Sequence, residues 1–398
     1  MTNSYRFGRT MPTLCRFIAG TCLSIGALLI TAAAQQTYNS QLHRFQTEKV
    51  ATGLKQPSAM IFLPDGTALL VERQKGIDRF DPRSNKLTPL EAPDALIGTD
   101  TGAHDANRPA TLTGEDAGFH DIILHPDYAK NGWIYITYSD GPRERSTTVV
   151  DRFHLRDNKL VDRQRIFTAD AWSEDRFHYG GRMAFIDSYL YLTVGDRHHQ
   201  DRAQELDTHA GKILRLRDDG SAPPDNPFVN TKDAKPEIWS YGHRNEQGLV
   251  ANPASGELWE HEHGPLHGDE LNVIKRGANY GWPIISYGWQ YAGGPIGKGI
   301  TAEKEMEQPI WVWTPGIAPS DMIFYTGTRF PQWRGDVFIG AMAGRNLTRL
   351  VIQDGRVVAE ERLMNRQSGR VRLVAQSSDG FIYIGNDDGE LLRLKPVE

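Results

Sequence analysis

From residue 43 onward the chain is a succession of short apolar runs separated by turn-forming residues, with almost no helical periodicity. One phrase recurs: an apolar strand, a turn of the P-D-G kind, a second apolar strand, then an acidic or Gly-rich corner. It reads SAMIFLPDGTALLVE at 58–72, HDIILHPDYAKNGWIYITYSD at 120–140 and GRMAFIDSYLYLTVGD at 181–196. It returns as GLVANPASGELWEHEHG at 248–264, DMIFYTGTRFPQWRGDVFIGAM at 321–342 and VRLVAQSSDGFIYIGNDDG at 371–389. Further strands such as GKILRLRDDG and NLTRLVIQDG follow most copies. A repeat of this kind cannot bury both faces of its own sheet, so the copies must stack around an axis. Six copies predict an all-β, six-bladed β-propeller of four-stranded antiparallel blades. The early strand HRFQTEKV at 43–50 is expected to join the last blade and close the ring.

The first 34 residues have a different character. Arg6, Arg9 and Arg16 precede or open an apolar run from Phe17 to Ile30, and Ala32–Ala34 follow. No acidic residue occurs before Glu48. This is the layout of a cleaved signal peptide, predicting a periplasmic or secreted protein whose residues 35–398 form a single propeller domain. Both cysteines, Cys15 and Cys22, lie in that segment, so neither disulfides nor thiolate chemistry are expected in the mature chain. Removing 1–34 takes away three of 45 Lys+Arg and none of 50 Asp+Glu, leaving a net charge of −8. Such a chain is a poor partner for nucleic acid, and no later segment is apolar enough to span a bilayer.

Four constellations carry candidate chemistry. In FHYGGRM (177–183), His178 is a candidate general base beside a Gly pair that allows close approach of a ligand. In SYGHRNEQG (240–248), Arg244 offers a planar donor fork and Asn245 a donor and an acceptor. HEHGPLHGDELNVIKRGANYGWP (261–283) places His261 and His263 on one strand face with His267 nearby. It lacks the helical spacing of a zinc motif, and Glu270 with the carbonyls of Gly264 and Pro265 suits a hard cation such as Ca²⁺ better. In SGRVRLV (368–374), Arg370 and Arg372 share a face and would repel unless an anion lies between them. All four fall near strand ends of different repeats, where a propeller brings them around one axis. Longer inserts at 95–116, 197–210 and 283–309 are expected to shape the specificity of that site.

HYGGR, SYGHRNEQG, EHGPLHGDELN with GANYGWP, PQWRGDVFIGA and GRVR, in this order and spacing, resemble the soluble PQQ-dependent aldose sugar dehydrogenases of the glucose/sorbosone dehydrogenase family. The resemblance covers roughly residues 45–396. It implies a propeller that binds pyrroloquinoline quinone (PQQ) and Ca²⁺ on its axis and oxidises a sugar at the C1 hydroxyl. His178 matches the general base, with Asp196 in the VGD corner as its orienter. Arg244 and Asn245 match cofactor contacts, Arg244 stabilising negative charge on the quinone. The Gly264 and Pro265 carbonyls match ligands of the cofactor's Ca²⁺. Tyr291, Arg370 and Arg372 match further cofactor contacts, and Glu270 with Tyr280 a second, structural Ca²⁺ site. The resemblance implies a sugar substrate and an electron acceptor that the sequence does not identify.

Three positions depart from the family pattern. Asp116 stands where a cofactor-contacting Gln is usual, Ala343 where a Lys is usual (with Arg345 two residues on), and His263 where some members carry Gln. The first two make the pocket less positive. Two other readings therefore stand beside the dehydrogenase: a propeller that binds a ligand or protein without redox chemistry, and a Ca²⁺-dependent lactonase-type hydrolase, suggested by fold analogy alone.

Overall fold

The computed structural model describes residues 36–91, 116–142 and 144–397. The expected signal peptide and almost all of the 95–116 insert lie outside the described residues. Strands pair into six antiparallel sheets. Their first strands are Pro57–Phe62, Phe119–Leu124, Met183–Ile186, Glu246–Ala251, Pro319–Phe324 and Val371–Gln376. Each packs on the first strand of the next sheet and the sixth packs on the first, so they ring the axis.

The second strands explain why the repeats read as apolar runs rather than as alternating patterns. Ala68–Glu72, Leu258–Glu262, Val337–Ala341 and Ile382–Asn386 are buried at every position. A blade lies between two others, so both faces of its middle strands are covered. Outer strands such as Lys159–Thr168 regain exposed positions. The P-D-G turn works as its chemistry dictates: Gly66 takes φ +83°, and the Asp65 carboxylate accepts from Thr67 N at 2.8 Å.

The ring closes as the pattern predicts. Arg44–Thr52 pairs with Glu390–Pro396, and Thr37–Asn39 adds a fifth, outermost strand to this blade. Phe45 is fully buried and packs edge-on to Trp333, ring centroids 5.7 Å apart. Burying a side chain of this size is worth roughly 1.5–3 kcal/mol, so the N-terminal strand is held by side chains as well as by its ladder.

Each of the six blade interfaces has its own apolar cluster. Between the third and fourth blades that cluster is the smallest, built on Ala184, Tyr191, Ile213, Leu249, Leu258, Ile274 and Tyr280. Polar side chains fill the rest of that interface.

Candidate active site

A cavity of about 360 Å³ opens where the loops of the third and fourth blades meet. It is lined by His178, Asp196, Arg244, Pro265, Trp282 and Tyr291, among others. Residues separated by more than a hundred positions converge here. His178, Asp196, Arg244 and Pro265 sit near strand ends of their blades, while Trp282 and Tyr291 reach in from the long insert between Asp269–Ile274 and Trp311–Trp313.

His178 lies in the loop leading to Met183–Ile186, with φ +52°, a left-handed conformation that a side-chain-bearing residue adopts only when its surroundings impose it. Those surroundings are tight. A Cβ on Gly195 would stand 2.4 Å from the His178 carbonyl oxygen, so only glycine lets the two segments touch. Arg197, fully buried, donates to the carbonyls of Phe177 and Asp175 and lies 3.5 Å over the Tyr179 ring, which fixes the loop from below.

The His178 ring is in turn held by Asp196. Nδ1 of His178 is 2.7 Å from Asp196 Oδ1, and that oxygen also accepts from the backbone N–H of His198 at 2.8 Å. The other carboxylate oxygen accepts from Trp282 Nε1 at 2.8 Å. A carboxylate only accepts, so Nδ1 carries the proton and Nε2 keeps a lone pair. Burial pushes the imidazole below its ordinary value; the Asp196 hydrogen bond opposes this and the Arg244 charge adds to it. For Asp196, burial alone would raise the value. Hydrogen bonds from His178 and Trp282, with the Arg244 charge, outweigh it and hold the group below the ordinary carboxylate range. The result is a neutral imidazole on an ionised carboxylate, the state a general base needs.

Arg244 follows the strand Ile238–Tyr241. Its backbone N–H donates to the Glu262 carboxylate, and its Nη1 donates to the carbonyls of His263 and Gly264, at 2.9 and 2.8 Å. Two of its five side-chain N–H groups are thus used within the protein. The guanidinium lies 5.3 Å from the Trp282 ring centroid. Gly264 is packed so closely that a Cβ would meet the carbonyl oxygens of His267 and Gly268 at 2.3 and 2.5 Å. Asp269 pins the same turn, accepting from Gly264 N and Ala318 N.

The structure divides the remaining candidates. Tyr291 is 73% exposed, at the cavity mouth. Glu270 and Tyr280 line a second, very small cavity of about 10 Å³ together with Glu262 and Gly264. The Tyr280 hydroxyl donates to Val273 O at 2.6 Å, so only its carbonyl is available to an ion. Asn245 accepts from Gln247 through its side chain and is not on the cavity wall. Arg370 and Arg372 are not on that wall either; both donate to Asp387, which is the anion their like charge calls for. Asp116 lies 4.0 Å from the buried Arg73 and close enough to His178 to raise its proton affinity. Ala343 and Arg345 are exposed beyond the strand Val337–Ala341. His263 is half-buried and bonds the Pro319 carbonyl through Nε2 at 2.7 Å, joining the fourth blade to the fifth.

Several lining residues had no signal of their own in the sequence: Trp282, His198, Gln200, Gln290 and Ile296. They come from the 197–210 and 283–309 inserts and the GANYGWP turn, and only the fold brings them to His178.

Comparison with known proteins agrees with this arrangement. The family described as Glucose / Sorbosone dehydrogenase matches residues 54–393. The chain is 36% identical to the aldose sugar dehydrogenase YliI of Escherichia coli, over 86% of this chain and 91% of that one. The apo-form crystal structure of the soluble aldose sugar dehydrogenase from Escherichia coli superposes with a TM-score of 0.80 at 32% identity, covering 89% of this chain and 100% of that one. The PQQ-bound aldose sugar dehydrogenase of Streptomyces coelicolor gives a TM-score of 0.69 at 25% identity, covering 89% and 98%.

Proposed function

Because the chain belongs to the Glucose / Sorbosone dehydrogenase family, we propose that it oxidises aldose sugars at the C1 hydroxyl to the lactone, with PQQ and Ca²⁺ as cofactors. The observation that carries this reading is the Trp282–Asp196–His178 chain, which ends at the wall of a cavity shared with Arg244. That is a base and a cation on one small volume. A glucose dehydrogenase named as a quinoprotein and a PQQ-bound neighbour among the relatives support the cofactor.

The residues present fit such a group. Gly264 forms a turn too close-packed for any side chain, so the Pro265 carbonyl and the second lone pair of the Gly264 carbonyl, which also accepts from Arg244, are held in place as oxygen donors for a hard cation. Arg244 has donors left for an anionic planar ligand, and Tyr291 flanks the same cavity. Bound there, PQQ with its Ca²⁺ would supply a two-electron hydride acceptor. The protein's own part is different. His178 Nε2 takes the C1 hydroxyl proton, Asp196 stabilises the imidazolium that results, and Arg244 stabilises negative charge as it grows. Trp282 and Ile296 add apolar surface to the wall of the same cavity. Glu270, the Tyr280 carbonyl and Glu262 surround a space the size of one ion, which suits a structural Ca²⁺.

Export through residues 1–34 to the periplasm or beyond is part of this reading. No described helix is long and apolar enough to cross a membrane. The electron acceptor is a separate partner.

The test is reconstitution of the purified protein with PQQ and Ca²⁺, followed by an aldose assay with a dye acceptor. Dye reduction and retained quinone absorbance are expected; neither appearing would overturn the reading. A non-redox ligand-binding propeller is the second reading, favoured by Arg370 and Arg372 already pairing with Asp387 away from the cavity wall. Absence of PQQ binding in the same titration would select it.

A further inference from the structure

The interface of the third and fourth blades holds more buried acid than the proposed reaction uses. Leu258, Glu260 and Glu262 alternate along one strand and so share a face. Leu258 packs on Ala184, Tyr191 and Ile213 of the third blade, which shows where that face points. Glu246 is opposite Glu262 in the strand register, and Asn272 is opposite Glu260. His243 comes from the loop between the two blades.

These groups are closed off from water and poorly partnered. His243, Glu246 and Glu260 are 0% exposed and Glu262 5%. Both carboxylate oxygens of Glu246, one of Glu260 and the Asn272 carbonyl oxygen have no hydrogen-bond partner. The nearby cations are committed elsewhere. Lys212 donates to the carbonyls of Arg202, Ala203 and Ala210, and the Arg244 side chain to those of His263 and Gly264. Unpaired carboxylates in such a place cost several kcal/mol each. One ligand atom from each of His243, Glu260 and Glu262 lies within 4.8 Å of the others, the span of atoms around a single ion.

We propose that His243, Glu260 and Glu262, with Glu246 beside them, form a buried site for one divalent first-row metal ion, Mn²⁺ or Zn²⁺. Carboxylates supply charge, and the imidazole shifts the preference from Ca²⁺, which takes oxygen ligands, to a metal that accepts nitrogen. His243 is oriented for this: Nδ1 faces Glu262 Oε1 at 3.3 Å, while Nε2 is 2.9 Å from Ser240 Oγ, so Nε2–H can donate to the hydroxyl and leave Nδ1 for the ion. The ring stacks on Tyr280 at 4.7 Å. The site shares no residue with the Gly264–Pro265 position; it borders the Glu270–Tyr280 position at Glu262 and differs from it in His243 and Glu260. It ties the two blades together and, through Glu262, the backbone of Arg244.

The experiment uses the full chain without PQQ, so its outcome is independent of the redox reading. Chelator-treated protein is dialysed against Mn²⁺ or Zn²⁺ in excess Ca²⁺ and its metal content measured. About one equivalent is expected in the wild type and none above background in Glu260→Gln, which keeps the side-chain shape. Metal should raise the thermal midpoint of the wild type and leave that of the variant unmoved. Pulsed electron paramagnetic resonance of bound Mn²⁺ should show nitrogen coupling that His243→Gln removes. Equal metal content in wild type and a folded Glu260→Gln, displacement by Ca²⁺, or Mn²⁺ bound without nitrogen coupling would each overturn the proposal. Circular dichroism identifies a variant that has not folded, and Glu246→Gln then replaces it.

Discussion

The indole of Trp282 donates to Asp196, 2.8 Å from Nε1 to Oδ2, on the side of the carboxylate away from His178. Asp196 is therefore held at both oxygens, and the plane of the His178 ring is set by a residue more than a hundred positions along the chain. A hydrogen bond to a charged group contributes about 1.5–3 kcal/mol. In Trp282→Phe the aromatic surface stays and the donor is lost. We expect kcat to fall by roughly 10- to 100-fold on that figure, with the acid limb of the pH–rate profile moving upward. The upward shift follows because Asp196, less well satisfied, draws the His178 proton more strongly. A pH–rate profile of the reconstituted variant checks both, and an unmoved acid limb would confine Trp282 to packing.

His178 sits below its ordinary value of 6.5, chiefly through burial. Between its lowered value and 6.5 the unfolded chain binds more protons at this ring than the folded protein does. Its contribution to stability is therefore complete above pH 6.5 and is lost as pH falls through that window. Activity should follow the same group, since only the neutral ring accepts a proton. We expect kcat/KM to stay level down to pH 6.5 and to fall only below it. An acid midpoint above that value would contradict the burial seen here. His178→Ala should cost about 10²–10⁴ in kcat.

The propeller was legible in the sequence because its signal is repeated: six copies of strand, turn and strand survive the variation of any one. Ring closure by residues 43–50 was legible for the same reason, as a strand left over without a partner. His178 stood out beside its Gly pair and Arg244 through its donor fork, while Asp196 entered with the family resemblance. Trp282 and His198 did not, because their roles exist only once loops from different blades meet. The HEH tripeptide drew notice to the face of His261 and His263, but the opposite face of that strand carries Glu260 and Glu262. Alternation assigns residues to faces and leaves open which face meets which blade. Arg370 and Arg372 were legible as a pair needing an anion. That Asp387 supplies it depends on the bend after Ile382–Asn386.

Asp116 adds negative charge near both His178 and Arg73. Asp116→Asn removes it without changing the side-chain outline. His178 should then lose proton affinity, moving the acid limb to lower pH, and an anionic quinone should bind a few-fold more tightly. Quinone retention on gel filtration and the pH–rate profile measure the two effects separately. Weaker retention would mean that Asp116 serves the site by holding Arg73 in place.

Lys212 is buried at the start of the strand Lys212–Leu216, and its ammonium donates to the carbonyls of Arg202, Ala203 and Ala210 at 2.9, 3.1 and 2.6 Å. Those carbonyls belong to the 197–210 insert, whose His198 and Gln200 line the cavity. In Lys212→Met the stem is kept and three carbonyls lose the ammonium, but those of Arg202 and Ala203 keep the backbone N–H groups of Glu205 and Gly242, and the Ala210 carbonyl alone is orphaned. We expect a loss of about 1–2 kcal/mol in chemical denaturation. The insert should loosen before the blades do, so hydrogen exchange should rise first at 198–204. KM for the sugar should rise more than kcat falls, because the base itself is anchored by Asp196 and Trp282. A drop in kcat with KM unchanged would instead tie Lys212 to the His178 end of the site.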